Sequence, residues 1–547
     1  MIRNSTHMST VRLEQKTNME TVERGEASAR EIAGSTADGQ KDGRRRQVDG
    51  GFPSWAVDVL RNVTVEPLLG VFQLSMILSS LTTQNLNLQK ACRVNMALDE
   101  ATCGALRGNR NGTFYRDEEI GAQQLVAGMM VWQNVIQNAV PCALVVFIGS
   151  WSDRHCRRKP FMLMPILGEL VRNVGLIVCV FYFYELPMEV AGLVESVPSS
   201  VTGSLPVLFL AVFAYVGDIS TVENRTLRVG FVTLFSSISV PIGAALSGIL
   251  FREYGFYGVY IISTVLYLIT FVYGIIVISD VKPAIDENGD KPVVVTKQTG
   301  KSSSLCNIVE FFDLIHVKKA IWVTFKQGDD NRRTNIILLM VIVVILLGPL
   351  SGEQSLMYLL TRVKFNWNEV DYSLFSTYYF ICNLIGIGFT LCVLVNRFGV
   401  DDRLIGAIGC LSKGLAAFVY AFAPTGFVFY VGPIVDIFHG TAFVAMRSIL
   451  SKLVPANELG QVLAVFSLAE TVVPAIFRPL YSVIYQKTLN WFPGAFYIFG
   501  GTINLPGVLI FLWMYFEKSK KQEFTEEKQA LSTEVDSHHN TKIYKNY

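Results

Sequence analysis

Asp436, His439 and Arg447 lie within one largely apolar stretch, FYVGPIVDIFHGTAFVAMRSILSK, at residues 429–452. On a continuous helix, Asp436, His439 and Arg447 would lie within roughly 80° of one face. Asp436 and His439 are one turn apart, so the carboxylate can raise the proton affinity of the imidazole, which titrates near neutral pH. We predict that Asp436 and His439 form a proton-coupling pair. A purely structural ion pair is the alternative.

Arg447 and Glu353 are predicted to bind a small molecule. Arg447 would lie about 16 Å beyond Asp436, and its planar guanidinium suits a carboxylate or a phosphate. The alternative is that its long side chain reaches to the polar end of the stretch. Glu353, in LLGPLSGEQSLMY, follows a Gly-Pro step that weakens a helix and frees carbonyls, as cavity-lining helices tolerate. The alternative for Glu353 is a position at the outer mouth of the molecule.

Two further pairs of opposite charge lie within apolar stretches. Glu169 and Arg172 are three residues apart and are predicted to neutralise each other. Glu470 and Arg478 are eight residues apart, beside two prolines. Ion pairing of these charges to another helix is predicted, with contact to a substrate as the alternative.

The composition indicates what kind of element holds these residues. The chain has 547 residues, of which 51% are hydrophobic and 17% charged, and its mean hydropathy is +0.38. Soluble proteins carry roughly a quarter of their residues as charges. Most of this chain consists of apolar blocks about twenty residues long, which must be helices in a lipid bilayer. The sequence therefore predicts an all-α polytopic membrane protein, whose buried charges face a cavity or a partner.

Hydropathy predicts twelve transmembrane helices in two six-helix bundles. The predicted spans are 64–88, 122–149, 161–184, 204–222, 227–250 and 257–281, then 335–361, 370–396, 402–423, 425–449, 459–487 and 494–516. The corresponding domains are a disordered cytosolic N-terminal tail (1–53), an N-terminal bundle (54–281), a cytosolic linker (282–334), a C-terminal bundle (335–517) and a disordered cytosolic C-terminal tail (518–547).

The distribution of lysine and arginine among the loops predicts that both termini are cytosolic. Asn111 of an Asn-Gly-Thr sequon would then lie in the first outer loop as a glycosylation site. Cys92 and Cys103 share that loop, and a disulfide between them is as well supported as two free thiols. The tails carry no clear sorting signal, so the plasma membrane is the predicted location, with the endolysosomal membrane as the alternative.

The stretch GSWSDRHCRRKP lies between the second and third predicted spans. Its glycine permits close helix packing, and its acid can accept hydrogen bonds from arginine in a network that forms in one conformation and breaks in another. The stretch resembles the G-x-x-x-D-R-x-G-R-R signature of the major facilitator superfamily, with Cys156 where the signature prefers glycine. The predicted gate motif comprises Gly149, Asp153, Arg157 and Arg158. The alternative is an ordinary basic loop that only sets topology.

Other segments carry a narrower resemblance. VEPLLGVFQLSMILSSLTTQNLNL, YVGDISTVENRTLR and RSILSKLVPANELGQVLA are similar to segments of solute carrier family 46, which contains the proton-coupled folate transporter. The resemblance implies a major facilitator fold, alternating access and uptake of organic anions such as folates, cell-wall fragments or cyclic dinucleotides. Thr233 and Gly348 stand where the folate branch carries a glutamate and a histidine, which argues against folate and weakens the case for its proton coupling.

The predicted function is secondary active import of an organic, anionic solute by a monomer in the lipid bilayer, with a proton as the candidate coupling ion. Two alternatives stay open: an uncoupled facilitative transporter, and a non-transporting receptor or scaffold on the same fold. No nucleophile elbow, dinucleotide fingerprint or metal-spaced cluster occurs in the sequence. We therefore predict no enzyme activity, no cofactor, no metal and no nucleic-acid partner.

Overall fold

The computed structural model describes residues 64–100, 102–104, 116–155, 157–219, 222–279, 321–327, 331–454 and 456–544. The predicted N-terminal tail, most of the predicted linker and Asn111 lie outside these ranges. The side chain of Asp153 also lies outside the described part. We call residues 64–279 the first half and residues 331–544 the second half.

Helices account for most of the described residues, and no strand occurs among them. The helices are α1 (Glu66–Lys90), α2 (Arg116–His155), α3 (Lys159–Phe181), α4 (Met188–Val201), α5 (Ser204–Ile219), α6 (Val222–Val277), α7 (Arg332–Phe365), α8 (Glu369–Phe389), α9 (Asp402–Phe422), α10 (Gly426–Val435), α11 (His439–Leu453), α12 (Ala456–Thr488) and α13 (Ala495–Tyr544). The π-helical turns Ala91–Asn95 and Thr390–Val395 continue α1 and α8.

These helices form twelve spans. Nine segments of the described residues are long and apolar enough to cross a membrane, and two of them, Met188–Ile219 and Gly426–Leu453, each join two short helices. A third, Arg228–Val277, counts as two spans because the backbone leaves helical geometry at Gly255, with φ 64° and ψ −161°. Helices α1 and α12 supply the remaining two. The predicted all-α fold with twelve transmembrane helices is confirmed.

Helix α9 shows how the spans suit a lipid bilayer. Its exposed face carries Leu411, Leu415, Phe418 and Phe422. These residues recur at intervals of three and four, so they form one stripe along the helix. The opposite face buries Cys410, Ala417 and Tyr420. An exposed apolar stripe of this length would favour aggregation in water, but it is the expected lipid-facing surface of a membrane helix.

The fourth span differs from the prediction. It was predicted to begin at residue 204, but the structure adds α4, which begins at Met188. The run of serines in α4 lowers its hydropathy, yet these hydroxyls are satisfied within the helix. Ser196 Oγ donates to the Gly192 carbonyl at 2.7 Å, and Ser200 Oγ donates to the Ser196 carbonyl at 2.5 Å. A polar segment can therefore still be part of a span.

The C-terminal segment also differs from the predicted disordered tail, because α13 continues to Tyr544. Its sequence KSKKQEFTEEKQA is rich in strong helix formers. Lys518 Nζ lies 2.5 Å from Asp401 Oδ2, in the turn before α9. Burial alone would raise the pKa of Asp401, but hydrogen bonds from Lys518 and from the Arg403 backbone lower it below its usual value. The pair fixes α13 where it leaves the bundle.

The two halves are joined mainly at one end. We call the end at which α1 begins the near end, and the other the far end. The largest apolar cluster joins both halves at the far end, through residues such as Leu88, Met129, Leu359, Phe375 and Tyr485. The next two clusters each stay within one half and lie towards the near end.

Candidate functional site

A buried lysine on α9 lies between two buried carboxylates. Lys413 Nζ is 2.7 Å from Glu353 Oε2 on α7 and 3.3 Å from Asp436 Oδ2, just after α10. The side chains of all three residues are 4% exposed or less. We call Glu353, Lys413 and Asp436 the charge triad. Charges at this depth are costly unless they are paired.

The triad contains more acceptor capacity than one lysine can satisfy. Glu353 Oε1 and Asp436 Oδ1 have no hydrogen-bond partner among the residues that the structure describes. Gly500 of α13 lies directly against Glu353 Oε1, and the ring of Tyr420 lies 5.9 Å from Lys413 Nζ. The triad is therefore enclosed by apolar and aromatic groups, with carboxylate oxygens left to bind a proton or water.

Asp436 lies at a break between two short helices. The Asp436 amide donates to the Gly432 carbonyl at 2.8 Å, which ends α10, and the His439 amide donates to the Asp436 carbonyl at 3.1 Å, where α11 begins. Ser412 Oγ on α9 donates to the Val435 carbonyl at 2.5 Å and fixes the break beside Lys413. Irregular backbone at membrane depth occurs where protein or a watery cavity satisfies it.

The predicted pairing of Asp436 with His439 is wrong. Asp436 bonds to Lys413, whereas His439 Nδ1 lies 3.2 Å from Asn383 Nδ2 on α8. The prediction assumed one continuous helix, and the break between α10 and α11 directs the two side chains differently. His439 is 4% exposed, and its Nε2 has no partner among the described residues.

Arg447 forms an ion pair at a more exposed place on α11. One of its nitrogens lies 2.9 Å from Glu470 Oε1 and 3.0 Å from Glu470 Oε2, on α12. The predicted helix-to-helix ion pair of Glu470 is therefore confirmed, with Arg447 as its partner. The Nε of Arg478 has no hydrogen-bond partner in the described part of the chain. Solute binding by Arg447 stays a prediction.

The gate motif lies at the near end. Gly149 is within α2, and Arg157 is exposed. Arg158 Nε lies 2.9 Å from Asp218 Oδ2 at the end of α5, and Arg158 also donates to Ser152 Oγ at 2.9 Å. The structure thus supplies a carboxylate partner, Asp218, that the sequence did not single out. The predicted network around Asp153 stays a prediction.

The loop after α1 contains a disulfide between Cys92 and Cys103, whose Cα atoms are 6.0 Å apart. This loop lies at the far end. Of the two alternatives that the sequence left open, the structure has the bonded pair.

A polar network crosses between the halves at the far end. Arg362 Nε on α7 lies 2.8 Å from Glu119 Oε1 on α2, and Arg362 also donates to Asn85 Oδ1 on α1 at 3.2 Å. Asn85 Nδ2 donates to Glu369 Oε1 of α8 at 2.5 Å. Gln123 of α2 accepts from Tyr485 of α12 at 2.7 Å. We call Asn85, Glu119, Gln123, Arg362 and Glu369 the cross-half seam, and it closes the far end.

The described ion pairs at the near end stay within one half. They include Arg158–Asp218, Arg332–Glu458, Lys452–Asp402 and Lys518–Asp401. Hydrogen bonds and an ion pair therefore join the two halves at the far end, whereas each of these near-end pairs joins residues of the same half.

Lys413 and the seam are the residues that sequence reasoning missed. Lys413 sits in LIGAIGCLSKGLAAF, a span with a lone central base. The rule that singled out Asp436 and Glu353, a charge within an apolar helix, applies equally to Lys413. Arg362 and Glu119 lie near predicted span ends, where a charge is ordinary and gives no signal. Among the described residues, no group of three or more His, Cys, Asp or Glu could hold a metal ion.

Curated relatives resemble the chain over most of its length. A Drosophila melanogaster protein, "Probable peptidoglycan muropeptide transporter SLC46", is 21% identical over 84% of this chain and 87% of its own length. A Rattus norvegicus protein, "Lysosomal proton-coupled steroid conjugate and bile acid symporter SLC46A3", is 26% identical over 73% of this chain and 82% of its own length.

Solved structures share the fold. The human organic anion transporter MFSD10 superposes with a TM-score of 0.52 at 12% identity, over 82% of this chain and 98% of that one. The POT family transporter PepTSo gives 0.54 at 12% identity, over 83% and 98%. Residues 117–477, about two thirds of the chain, match the model of the Major Facilitator Superfamily. With twelve helices in this arrangement and this match, the chain belongs to the Major Facilitator Superfamily, and the curated relatives that it resembles are members of solute carrier family 46.

Proposed function

We propose that this transporter imports an organic, anionic solute together with a proton, and that the charge triad is the coupling site. The observation that carries the proposal is Lys413 held between Glu353 and Asp436 at membrane depth. One base and two acids leave one negative charge in excess when all three are ionised. A proton on one carboxylate removes that excess, so the triad has a physical reason to take up a proton.

Asp436 is the proposed proton acceptor. Lys413 Nζ lies 3.3 Å from Asp436 Oδ2 but only 2.7 Å from Glu353 Oε2. Glu353 therefore keeps its ion pair with Lys413 when Asp436 binds a proton. Asp436 also lies at the break in the tenth span, where a change in its charge acts on both α10 and α11. His439 stays the second proposed proton group because its Nε2 lacks a described partner.

The cross-half seam supports alternating access. Transporters of this architecture expose a central site to one side at a time as the two halves rock. In this structure Arg362 and Asn85 tie the halves together at the far end. Opening the far end would require these bonds to break, while the gate motif at the near end would engage.

Arg478 is a better candidate than Arg447 for binding an anionic solute. Arg447 is paired with Glu470, whereas the Nε of Arg478 has no partner among the described residues. Pro474 and Pro479 flank Arg478 in α12 and weaken the helix there. A guanidinium with free donors can bind a carboxylate, sulfate or phosphate group. Glu353 would contact the solute only through the triad.

We propose that both termini face the cytosol and that the far end faces the cell exterior or the lumen of an acidic organelle. The Cys92–Cys103 disulfide at the far end fits an oxidising compartment. The rat relative is named as lysosomal, so the endolysosomal membrane is as well supported as the plasma membrane. Glycosidase treatment of wild type and Asn111→Gln tests the orientation, since only a glycan at Asn111 would give a mobility shift that the variant lacks.

The experiment is uptake of labelled solutes by cells that carry the protein at their surface, at mildly acidic and neutral pH. The panel holds a muramyl peptide, a steroid conjugate, a bile acid and a folate. We expect acid-stimulated uptake of at least one solute, and loss of the stimulation in Asp436→Asn at equal surface abundance. Asp402→Asn is the control, because Asp402 pairs with Lys452 at the near end. Uptake that does not change with pH would support the uncoupled facilitator instead.

A further inference from the structure

The first half has a broken span at the position that corresponds to the triad. The fourth span of the first half is interrupted between α4 and α5, at Thr202 and Gly203, and the fourth span of the second half is interrupted at Asp436. Interrupted spans at corresponding positions of two halves mark binding sites in transporters. In the second half that place holds the triad.

A buried base lies beside the first break as well. Arg172 is on α3, the third span of its half, as Lys413 is on α9. Arg172 Nε lies 3.0 Å from Glu169 Oε2, and Arg172 donates to Ser79 Oγ on α1 at 2.8 Å. Glu169 also interacts with Ser204, the first residue after the break. The third, first and fourth spans thus meet around a base in both halves.

A second carboxylate completes this cluster. Glu195 lies on α4, two turns before the break, and is half-buried. Its Oε2 accepts from Asn87 Nδ2 on α1 at 3.1 Å and from Gln133 Nε2 on α2 at 3.0 Å. Both donors are neutral amides. Arg172 is near enough to interact with Glu195, but its nearest carboxylate is Glu169.

The charges and the hydrogen bonds indicate what Glu195 binds. Two carboxylates and one guanidinium leave one negative charge in excess, which is costly at membrane depth. Asn87 is 4% exposed, and its Oδ1 has no partner among the described residues. A protonated Glu195 could donate to that oxygen while still accepting from the Asn87 amide nitrogen, which would satisfy both groups.

We propose that Glu195 is a second proton-binding site, in the first half, related to the triad by the repeated arrangement of the spans. The groups that face it are Asn87 of α1, Gln133 of α2, the Glu169–Arg172 pair of α3 and Tyr260 of α6. The inference rests on the proposed proton-coupled transport. Asn87 is two residues from Asn85 of the cross-half seam, so a proton on Glu195 acts on the helix that carries the far-end closure.

The test compares initial uptake rates against pH in wild type, Glu195→Gln and Glu189→Gln. Glu189 is the matched control because it lies in the first turn of α4 and accepts from Asn95 at an exposed place. We expect the uptake rates of wild type and Glu189→Gln to depend on pH with a proton Hill coefficient of about two. Glu195→Gln should still be stimulated by acid, but with a Hill coefficient of about one. If Glu195→Gln has the same Hill coefficient of about two as wild type, the second proton site is wrong, but the proposed function stands. A flat response in wild type would overturn the proposed function as well.

A second measurement does not depend on transport. Infrared difference spectra of the purified protein between acidic and neutral pH detect protonated carboxyl groups directly. We expect one band to vanish in Glu195→Gln and to persist in Glu189→Gln and Asp436→Asn. If Glu195→Gln does not fold, Gln133→Met serves instead, since it removes a donor to the ionised carboxylate and should shift the midpoint of that band to higher pH. An unchanged midpoint would contradict the proposal.

Discussion

Lys413 is the residue on which the second half depends most. It lies on the buried face of α9 and is the described base that holds Glu353 and Asp436 together. Removing one partner of a buried ion pair leaves an uncompensated charge, which costs about 3–5 kcal/mol. Neutralising all members of such a group by residues of similar shape costs far less.

Lys413→Met is expected to lower the free energy of unfolding by about 3–5 kcal/mol and to abolish transport. The triple variant Lys413→Met, Glu353→Gln, Asp436→Asn should recover most of the stability without transport, because no charge is left unpaired. Thermal unfolding of the purified protein in detergent measures the difference. A single variant as stable as wild type would show that the three groups do not form a coupled triad.

Arg478→Gln should weaken binding of an anionic solute. A hydrogen bond to a charged group contributes about 1.5–3 kcal/mol, which corresponds to a rise in KM of roughly 10- to 100-fold. The acid stimulation should persist, because the triad is untouched. Arg447→Gln is the comparison, since Arg447 is occupied by Glu470. Equal effects of the two substitutions on KM would argue against Arg478 as the anion site.

At this scale the sequence identified Asp436 and Glu353 as buried charges but not the base that joins them. It also predicted the wrong partner for Asp436, because helical spacing applies only to an unbroken helix. The hydropathy of FYVGPIVDIFHG does not show where the helix breaks. The helix-to-helix ion pair of Glu470 was predicted correctly, but its partner could not be named, because Arg447 lies on a neighbouring helix.

The interrupted fourth span of each half is the main feature at the scale of elements. The sequence predicted only the apolar part of this span in the first half, because the serine-rich part has the hydropathy of a loop. Gly203 stands at the interruption with φ 87°, a conformation that residues with a Cβ rarely adopt. A Cβ there would also collide with Val207.

Gly203→Ala should therefore strain the break by about 1–3 kcal/mol and reduce the rate of uptake. Gly217→Ala, on the same span, is the control, because a Cβ at Gly217 meets nothing within 4 Å. Uptake rate per molecule at the surface, with the melting temperature of each variant, measures both effects. If both variants behave like wild type, the geometry of the break does not matter for transport.

At the scale of the whole molecule, the fold could be predicted from hydropathy almost completely, since length and apolarity determine which segments cross a bilayer. The closure of the far end could not. It depends on contacts between residues far apart in the chain, such as Arg362 with Glu119, which no local pattern encodes. The similar clusters of charge around Arg172 in the first half and Lys413 in the second half could not be predicted either, because they depend on how the spans pack.

The cross-half seam predicts a conformational effect. Arg362→Glu places a second negative charge beside Glu119 and should open the far end. A membrane-impermeant reagent added from the far side should then label a cysteine introduced at Ser482 faster. Ser482 lies on α12 and is fully buried, within 3.4 Å of Asn134 of α2. The swapped pair Glu119→Arg with Arg362→Glu restores opposite charges and should restore protection. Equal labelling in all three proteins would contradict a gating role for the seam.

Proton movement driven by the solute tests proton-coupled transport through the triad most directly. Purified protein is reconstituted into liposomes that contain a pH-sensitive dye, and the solute that gives the strongest uptake in cells is added outside. Wild type should acidify the interior as the solute enters, and Asp436→Asn should not. Entry of the solute through wild type with no change in internal pH would show that the triad does not couple transport to protons.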